Sequence, residues 1–446
     1  MPTRKPKPAD LAEAIGDPAP LTAAAPAAAP QALCGGAVVA ISRRAAHRIR
    51  SGHPWVYASE VVEQIPPAGE SALAPGSVVT VAESHGGLLG SAIYSSTSQI
   101  ALRMLSSGIL STRQEFLALL EQRLRRAIEA RQQWLGNTAD TDACRLVFSE
   151  ADELPGIMLD RYGDLVILQL LAQGTAQPDV RQLVTEVIRA SVAPASIVER
   201  PDPRIRELEQ LPAPDAAPLY TRDPDSPATI TQFHCNGLRF QYDATSGQKT
   251  GAFLDQRENY RAVEQYAHGR ALDVCTYQGG FALHLARRCA QVTGVDVSRA
   301  ALEVAEKNLE ANRRQLAGSG AGVEWVEANA FDLLRDWSDT GEMFDTIVLD
   351  PPAFAKSKRA VEGAVRGYKE LNLRAFKMLR PGGTLVTCSC SHHVSLPDFQ
   401  AAVAAAAADA KRRVRLIEIR GAALDHPAIL TVPETQYLKC LICTVE

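Results

Sequence analysis

The sequence predicts an α/β fold whose C-terminal part, residues 241–446, is a doubly wound parallel sheet. Short apolar runs alternate with helix-like apolar spacing from about residue 241 onward. One buried run, ALDVC, breaks into a turn ending in Gly279-Gly280, and a helix pattern follows. A second apolar run ends one helix later at Asp296. Because ligands of such sheets bind at the carboxyl ends of strands, these turns mark the predicted site.

The length and composition limit the classes of protein to which this chain can belong. With 446 residues, 46% hydrophobic and 22% charged, the chain is long enough for two or three cored domains. A net charge of −4 gives no general basic field, so nucleic acid would have to bind local patches. Among nine cysteines, Cys440 and Cys443 form a lone CxxC without the second pair that a zinc site needs. We expect free thiols, no metal, no membrane span and no signal peptide, hence a cytoplasmic protein.

Four segments are predicted in chain order. Residues 1–35 are rich in Ala and Pro and predict a disordered extension. Short strands between Gly and Pro turns predict a β-rich module over residues 36–108. An amphipathic helix, a hairpin across RYGD and a helix–strand pair predict a central α+β domain over residues 109–240, in which residues 200–230 are a linker dense in Pro and Asp. The doubly wound domain follows.

The β-rich module carries cations interleaved with aromatic residues. Arg43, Arg44, Arg48 and Arg50 lie close in sequence to Trp55. Guanidinium groups pair with phosphates and aromatic rings stack on unpaired bases, so the stretch is typical of RNA binding. On the residues alone, a solvated helix face followed by a core Trp is the simpler explanation.

Polar residues also follow the later strands of the doubly wound domain. Asp296 at the second strand end is placed to bind ribose hydroxyls, and Asn329 after the third can hydrogen-bond an adenine edge. Asp350 ends the fourth strand at a rigid Pro-Pro corner, which suits the polar edge of a flat heterocycle. Cys390 ends the fifth, where a thiolate would reach the cleft; inert packing is the ordinary alternative. Together they predict a nucleoside-containing cofactor.

Four motifs, ALDVCTYQGGF, VTGVDVS, FDTIVLDPPAFAKSK and GGTLVTCSCS, together resemble class I S-adenosylmethionine-dependent RNA methyltransferases. More narrowly, the chain after residue 36 resembles the rRNA large subunit methyltransferase I family, which makes 5-methylcytosine in 23S rRNA. RLVFSEADELPGIMLDRYGD and QKTGAFLDQREN, the latter at residues 248–259, add to the resemblance. It implies a Rossmann-like class I methyltransferase sheet, preceded by an RNA-binding PUA barrel and a central α+β domain.

The resemblance also assigns residues, all read from this sequence. With S-adenosyl-L-methionine as the cofactor, its binding residues would be Phe253, Asp255, Gln256, Asp273, Cys275, Tyr277, Gly279, Asp296, Val297, Asn329, Ala330 and Asp350. The catalytic residues would be Cys390, Asp350 and Pro351, and the RNA-binding residues Arg43, Arg44, Arg48, Arg50, Trp55, Lys356 and Lys358. The implied partner is 23S rRNA or a large-subunit precursor, with a homodimer left open. Asn329 departs from the Asp usual in the family.

The chemistry that the resemblance implies has three parts. Cys390 adds to carbon 6 of cytosine, which makes carbon 5 nucleophilic toward a methyl sulfonium. Asp350 stabilises the developing charge by hydrogen bonding to nitrogen 3 or to the exocyclic amine, and either Asp350 or ordered water removes the carbon 5 proton. A neighbouring cation would lower the pKa of Cys390: Lys356, Lys358, His392 or His393. For the two lysines, phosphate binding and plain solvation fit equally well.

Two other functions stay open on the sequence. The first is RNA base N-methylation by direct transfer at the DPP corner; its adenine-directed forms place an aromatic residue where this chain has Ala353, with Phe354 one position later. The second is a non-catalytic RNA-binding or ribosome-assembly factor. Ala353 also stands where related cytosine-5 enzymes carry a second cysteine, so release of the product by a cysteine pair is not supported.

Overall fold

The computed structural model describes residues 36–136, 140–245, 251–355 and 357–446. The predicted extension at residues 1–35, Lys356 and the first part of the QKTGAFLDQREN motif lie outside the described residues. The strands form four sheets of six, five, two and seven strands. No helix in the described ranges is both long and apolar enough to cross a bilayer. In the same ranges, no three His, Cys, Asp or Glu side chains come together as metal ligands.

The first sheet lies within the predicted β-rich module. Its strands are β1 (Val38–Ile41), β2 (Trp55–Tyr57), β3 (Val61–Ile65), β4 (Val78–Glu83), β5 (Leu88–Tyr94) and β6 (Ile100–Ser106). They pair in the order β2-β6-β5-β4-β1-β3, in which only β1 and β4 are parallel among the described strands. Helix α1 (Arg43–Arg50) begins at its cap, Ser42, and buries Ala45 and Ala46 in the core of this module.

The central domain is a five-stranded sheet packed against two long helices. Its elements are α2 (Arg113–Leu135), β7 (Ala143–Phe148), β8 (Ile157–Tyr162), β9 (Leu165–Leu170), α3 (Pro178–Val192), β10 (Ser196–Glu199), α4 (Pro203–Glu209) and β11 (Tyr220–Thr221). Strands β8 and β9 form the predicted hairpin across RYGD. The prediction of a plain linker over residues 200–230 is wrong, because Asp202 caps helix α4 within it.

A two-stranded hairpin, β12 (Ile230–Cys235) and β13 (Leu238–Asp243), joins the central domain to the C-terminal domain. The Tyr162 ring of the central sheet lies 5.3 Å from that of Phe233 on the hairpin. Tyr162, Phe233 and Phe281 of the C-terminal domain belong to one buried apolar cluster. The predicted boundary at residues 240 and 241 therefore falls inside β13, within a shared core.

The C-terminal domain holds the seven-stranded sheet. Its strands are β14 (Arg270–Val274), β15 (Gln291–Asp296), β16 (Gly322–Glu327), β17 (Phe344–Leu349), β18 (Leu379–Ser389), β19 (Val414–Arg420) and β20 (Lys439–Val445). Its helices are α5 (Arg257–Val263), α6 (Gly280–Leu285), α7 (Arg299–Leu316), α8 (Ala330–Thr340), α9 (Val361–Met378) and α10 (Leu396–Asp409). Strand order is β16-β15-β14-β17-β18-β20-β19.

Strands β14 to β18 are parallel, as predicted, but β20 runs antiparallel to both of its neighbours. The expectation of a wholly parallel sheet is therefore wrong at this strand. Parallel neighbours need a long crossover, usually a helix, whereas the described connection from β19 to β20 has only a short 3₁₀ turn. Strand order reverses beside β14, so the carboxyl ends of β14, β15 and β17 meet there.

Candidate active site

The turn after β14 has a strained backbone. Cys275 and Tyr277 have positive φ angles of 64° and 51°, which L-residues seldom adopt, and Gly279 has a φ of 84°. A Cβ on Gly279 would lie 2.9 Å from the Trp325 ring, so glycine is required there by both conformation and space. Such strain concentrates at ligand sites because surrounding contacts must hold it in place. The residue types predicted a turn but gave no sign of the two strained non-glycine positions.

Asp273 fixes this turn by hydrogen bonds from the buried end of β14. Its side chain is fully buried, and Oδ2 accepts hydrogen bonds from Thr276 Oγ1 at 2.5 Å and from the Ala282 N–H at 2.9 Å. Burial raises the pKa of the Asp273 carboxyl to about 7. Asp273 is absent from the lining of the neighbouring cavity. Its hydrogen bonds shape the turn, and its direct contact with the cofactor stays a prediction.

Asp296 and Val297 lie beside the turn at the end of β15. The Asp296 carboxylate accepts the N–H groups of Tyr277 and Ser298, each at 2.9 Å. Each oxygen thus takes one backbone donor and keeps a lone pair for a ligand hydroxyl. Val297 is 70% exposed and so presents an apolar surface beside the turn. This geometry suits a ribose on Asp296 and a flat base against Val297.

Asn329 and Ala330 begin helix α8 at the next strand end. Asn329 Oδ1 caps the helix by accepting the N–H groups of Phe331 at 2.9 Å and Asp332 at 3.4 Å. The carbonyl end of this amide thus binds the helix, and the contact of Asn329 with adenine stays a prediction. Its NH₂ group can still donate to an adenine ring nitrogen, and Ala330 next to it is partly exposed.

A cavity with about 530 Å³ of open space lies between the turn, the end of β17 and the hairpin. Four predicted residues line it: Phe253, Cys275, Tyr277 and Asp350. The Phe253 and Tyr277 rings meet edge to face at 5.1 Å, and the Tyr277 hydroxyl donates to the Gly251 carbonyl at 3.2 Å. The segment before β14 is thereby held over the turn.

Other parts of the lining differ from the prediction. Asp255 and Gln256 are buried and absent from the lining; Tyr437 donates to Asp255 at 2.6 Å, and Asn259 donates to Gln256 at 2.6 Å. Their contact with the cofactor stays a prediction. Tyr260, which was not among the predicted residues, also lines the cavity.

Cys390 lies at the same corner as Asp350. Its Sγ is 3.9 Å from the carbonyl oxygen of the buried Pro351, and its side chain is half-buried. Cys388, by contrast, is fully buried and faces Cys440 across the sheet. The hydrogen bond with Cys440 and burial together raise the pKa of the Cys388 thiol well above its ordinary value. Of the two cysteines, only Cys390 is both close to the Pro-Pro corner and accessible.

The loop after β18 is fixed by polar contacts that the sequence did not reveal. Ser391 Oγ lies 2.9 Å from the Tyr368 hydroxyl and accepts the Ala355 N–H at 3.2 Å. Lys439 Nζ donates to the carbonyls of Ser391 at 2.7 Å and Val394 at 2.8 Å. No sequence signal linked Lys439 to this loop, because strand pairing alone brings it there.

Of the predicted cations near Cys390, Lys356 lies outside the described residues, and Lys358 is exposed. His393 is exposed, and the His392 Nδ1 lies 3.1 Å from the Glu434 carbonyl oxygen. The same Glu434 meets His53 of the first module at 3.4 Å. One short segment thus touches both the Cys390 loop and the first module.

The predicted RNA-binding residues of that module divide into two groups. Arg48 pairs with Glu60 and donates to the Trp55 carbonyl at 2.9 Å. The Trp55 indole donates to Glu150 of the central domain at 2.9 Å. Both side chains bind other parts of the structure, and their contact with RNA stays a prediction.

The remaining positions are open to solvent. Arg43 and Arg44 are exposed, and neither forms an ion pair with the part of the chain that the structure describes. Arg50 makes an exposed pair with Glu83 at 2.7 Å, which a phosphate would replace at little cost.

Known families and relatives match nearly the whole chain. Residues 165–429 match the family described as S-adenosylmethionine-dependent methyltransferase, and residues 39–107 match the PUA-like domain. The chain is 37% identical over 399 residues to ribosomal RNA large subunit methyltransferase I of Pseudoalteromonas translucida (strain TAC 125), covering 89% of this chain and 96% of the relative. It is 37% identical to the protein of that name from Erwinia tasmaniensis, covering 88% and 95%.

Solved structures support the fold. One, a proposed methyltransferase complexed with SAH, superposes with a TM-score of 0.74 at 17% identity, covering 91% of this chain and 99% of the other. A SAM-dependent methyltransferase from Streptococcus mutans superposes with a TM-score of 0.73, with the same identity and coverage. These likenesses agree with the predicted order of a PUA-like domain, a central domain and a class I methyltransferase sheet.

Proposed function

Because the chain belongs to the ribosomal RNA large subunit methyltransferase I family, we propose that it methylates carbon 5 of a cytosine in 23S rRNA through a covalent Cys390–cytosine adduct. Its cofactor is S-adenosylmethionine. The observation that carries the proposal is the position of Cys390, whose sulfur lies 3.9 Å from the Pro351 carbonyl at the corner that presents Asp350 to the cavity.

The residues at the turn fit this cofactor. Asp296 has lone pairs left for the ribose hydroxyls, and the exposed Val297 offers an apolar surface to the adenine. Phe253, Tyr277 and the Asp350 carboxylate line the cavity, a set that suits a positively charged sulfonium. When bound, the cofactor supplies an electrophilic methyl group on sulfur.

In the proposed mechanism, the Cys390 thiolate adds to carbon 6 of the cytosine. A sulfur–carbon bond forms, the bond between carbons 5 and 6 loses its double-bond character, and carbon 5 becomes nucleophilic. Asp350 accepts a hydrogen bond from the exocyclic amine or, when protonated, donates to nitrogen 3, which stabilises the electrons displaced into the ring.

Product release completes the cycle. The proton on carbon 5 must leave before the sulfur–carbon bond breaks and the ring regains its aromatic system. Ala353 occupies the position of the second cysteine in related enzymes, so we assign the proton to ordered water or to Asp350. Cys390 then departs as a thiolate, and the enzyme returns to its starting state.

RNA would reach this site from the first module. Arg43 and Arg44 are the exposed cations on α1, and the contacts of Glu434 place that module beside the Cys390 loop. Guanidinium groups of this kind hold phosphates rather than read bases. Because carbon 6 is inaccessible within a stacked helix, the target cytosine must lie in a loop or be flipped out.

Mass spectrometry of rRNA nucleosides from cells lacking the protein, complemented with variants, tests the proposal. Wild type is expected to restore one 5-methylcytosine of 23S rRNA, and Cys390→Ala to restore none. Cys289→Ala, a buried cysteine away from the cavity lining, is the matched control and should restore it fully. Retained methylation by Cys390→Ala would favour direct N-methylation, and a wild-type protein that fails to bind S-adenosylmethionine in calorimetry would favour a non-catalytic RNA-binding factor.

A further inference from the structure

Lys439 is a buried cation that the reaction described above does not use. It is 7% exposed, and among the described residues it forms no ion pair with a carboxylate. A lone ammonium is costly to bury, so a buried lysine without a carboxylate partner requires an explanation. Lys439 lies opposite Ser389 in the register of β18 and β20, directly beside the loop that begins at Cys390.

Two hydrogen bonds fix the ammonium at that loop. Nζ donates to the carbonyls of Ser391 and Val394, at 2.7 and 2.8 Å, which leaves one of its three N–H donors without a partner among the described residues. Ser391 directly follows Cys390, and its own hydroxyl is held by Tyr368 at 2.9 Å. The ammonium is therefore held rigidly beside the cysteine and has a donor to spare.

We propose that Lys439 is a positioning residue whose fixed positive charge stabilises the Cys390 thiolate. This inference rests on the proposed role of Cys390 as the nucleophile. The thiol proton leaves to solvent while Nζ keeps all three of its protons, so an ammonium–thiolate pair forms. Electrostatic stabilisation of this kind is the usual way in which proteins make a cysteine reactive near neutral pH.

The charges around the loop agree with this assignment. Burial lowers the pKa of the Lys439 ammonium to about 8, and Cys390 acts on it in the opposite direction. The other titratable groups near Cys390 on the surrounding elements are Asp350 after β17, Tyr368 on α9, Cys388 on β18, Cys440 on β20, and His392 and His393 in the loop. Nearby carboxylates disfavour a thiolate, whereas a fixed cation favours it.

Alkylation of Cys390 by iodoacetamide, followed by peptide mass spectrometry across pH in the full-length protein, tests the inference. Lys439→Gln keeps a donor for the loop carbonyls but removes the charge. It should raise the midpoint of alkylation by about one pH unit, so the rate below that midpoint falls about tenfold. Lys439→Arg should keep the wild-type midpoint. Lys377→Met, an exposed lysine at the far end of α9, is the control for charge loss.

An unchanged midpoint in Lys439→Gln would overturn the inference. A wild-type alkylation midpoint at or above about pH 8.5, the ordinary pKa of a free cysteine, would also overturn the inference. This measurement needs no variant, so it tests the inference even where Lys439→Gln fails to fold. The reaction needs neither RNA nor methyl donor. Failure of the proposed function would appear in the rRNA nucleosides, whereas failure of this inference would appear in the alkylation curves.

Discussion

The carboxylate of Asp296 accepts the backbone N–H of Tyr277 at 2.9 Å, so the end of β15 holds the strained turn that follows β14. Under the proposed function Asp296 has two roles, because the oxygens that fix the turn would also bind the ribose. A substitution here would then remove a ligand contact and release the backbone that shapes the adjoining cavity.

We expect Asp296→Ala to weaken binding of S-adenosylmethionine about 10- to 100-fold, since hydrogen bonds to a charged group contribute about 1.5–3 kcal/mol. Isothermal titration calorimetry measures the change directly. Asp336→Ala removes an exposed carboxylate on α8 and should bind like wild type. Equal affinity in the two variants would show that Asp296 does not bind the ribose.

Gly279→Ala should destabilise the C-terminal domain by about 1–3 kcal/mol, because its φ of 84° and the Trp325 ring at 2.9 Å both oppose a side chain. Gly318→Ala is the matched control: no atom lies within 4 Å of the place its Cβ would take, and its effect should be within about 0.5 kcal/mol. Calorimetric melting of both variants gives the comparison. A stable Gly279→Ala protein would contradict the geometry of the turn.

Asp425→Asn should cost about 3–5 kcal/mol, because it leaves the buried Arg257 guanidinium with Glu258, 3.5 Å away, in place of its buried anion. Asp425 binds Arg257 at 2.8 and 3.0 Å and accepts the Arg145 N–H at 2.8 Å. Burial alone would raise the pKa of Asp425, but His426 and Arg257 hold it well below its ordinary value. Urea unfolding measures the loss.

The control for that variant is an exposed acid. Asp409→Asn removes the exposed pair with Lys369 and should cost less than about 1 kcal/mol. Similar losses in the two variants would mean that the buried pair contributes no more than the exposed one.

The raised pKa of the Asp273 carboxyl predicts a pH dependence of stability that is opposite in sign to that of most carboxylates. Its folded pKa of about 7 lies above the unfolded value of about 3.9. Between these values the folded chain keeps a proton that the unfolded chain releases, so this group's contribution falls as pH rises from about 4 to about 7. Asn at position 273 cannot titrate. The free energy of unfolding of Asp273→Asn, measured relative to that of wild type, should therefore increase as pH rises across that range. Urea unfolding at several pH values measures this. If the free energies of unfolding of wild type and Asp273→Asn change in parallel with pH, the prediction is wrong.

Arg43 and Arg44 should contribute to RNA affinity by binding phosphates. We expect the double change to Ala to weaken binding to an rRNA fragment and to lower the slope of log affinity against log salt by about 0.7–0.9 for each phosphate that is no longer neutralised. Arg125→Ala on α2 removes an exposed arginine already paired with Glu121 and serves as the control. An unchanged salt slope would place the RNA on another surface.

The sequence predicted the parts of the site that depend on local pattern. Asp296, Asp350 and Cys390 follow apolar runs, and a parallel sheet brings such ends to one edge. Their intended roles with ribose and cytosine stay predictions. The fold class and cofactor class are confirmed by the family to which the chain belongs.

Other features depend on contacts between distant segments, which no local pattern records. Lys439 reaches the Cys390 loop only through strand pairing, and Tyr260 reaches the cavity only through packing of α5. Arg131 lies on the predicted amphipathic helix α2, yet it is buried in an ion pair with Asp152 at 2.6 Å. The reversed direction of β20 likewise follows from a connection without a helix.

The hairpin of β12 and β13 has a practical consequence for anyone dissecting this protein. Phe233 and Phe240 line the cavity beside the turn, and Phe233 also packs on Tyr162 of the preceding domain. A fragment cut at residue 241 would lose a wall of its own binding pocket and expose the aromatic residues behind it. We therefore expect a fragment that begins at residue 241 to bind the cofactor poorly, whereas one that begins upstream of Tyr162 keeps this wall of the pocket.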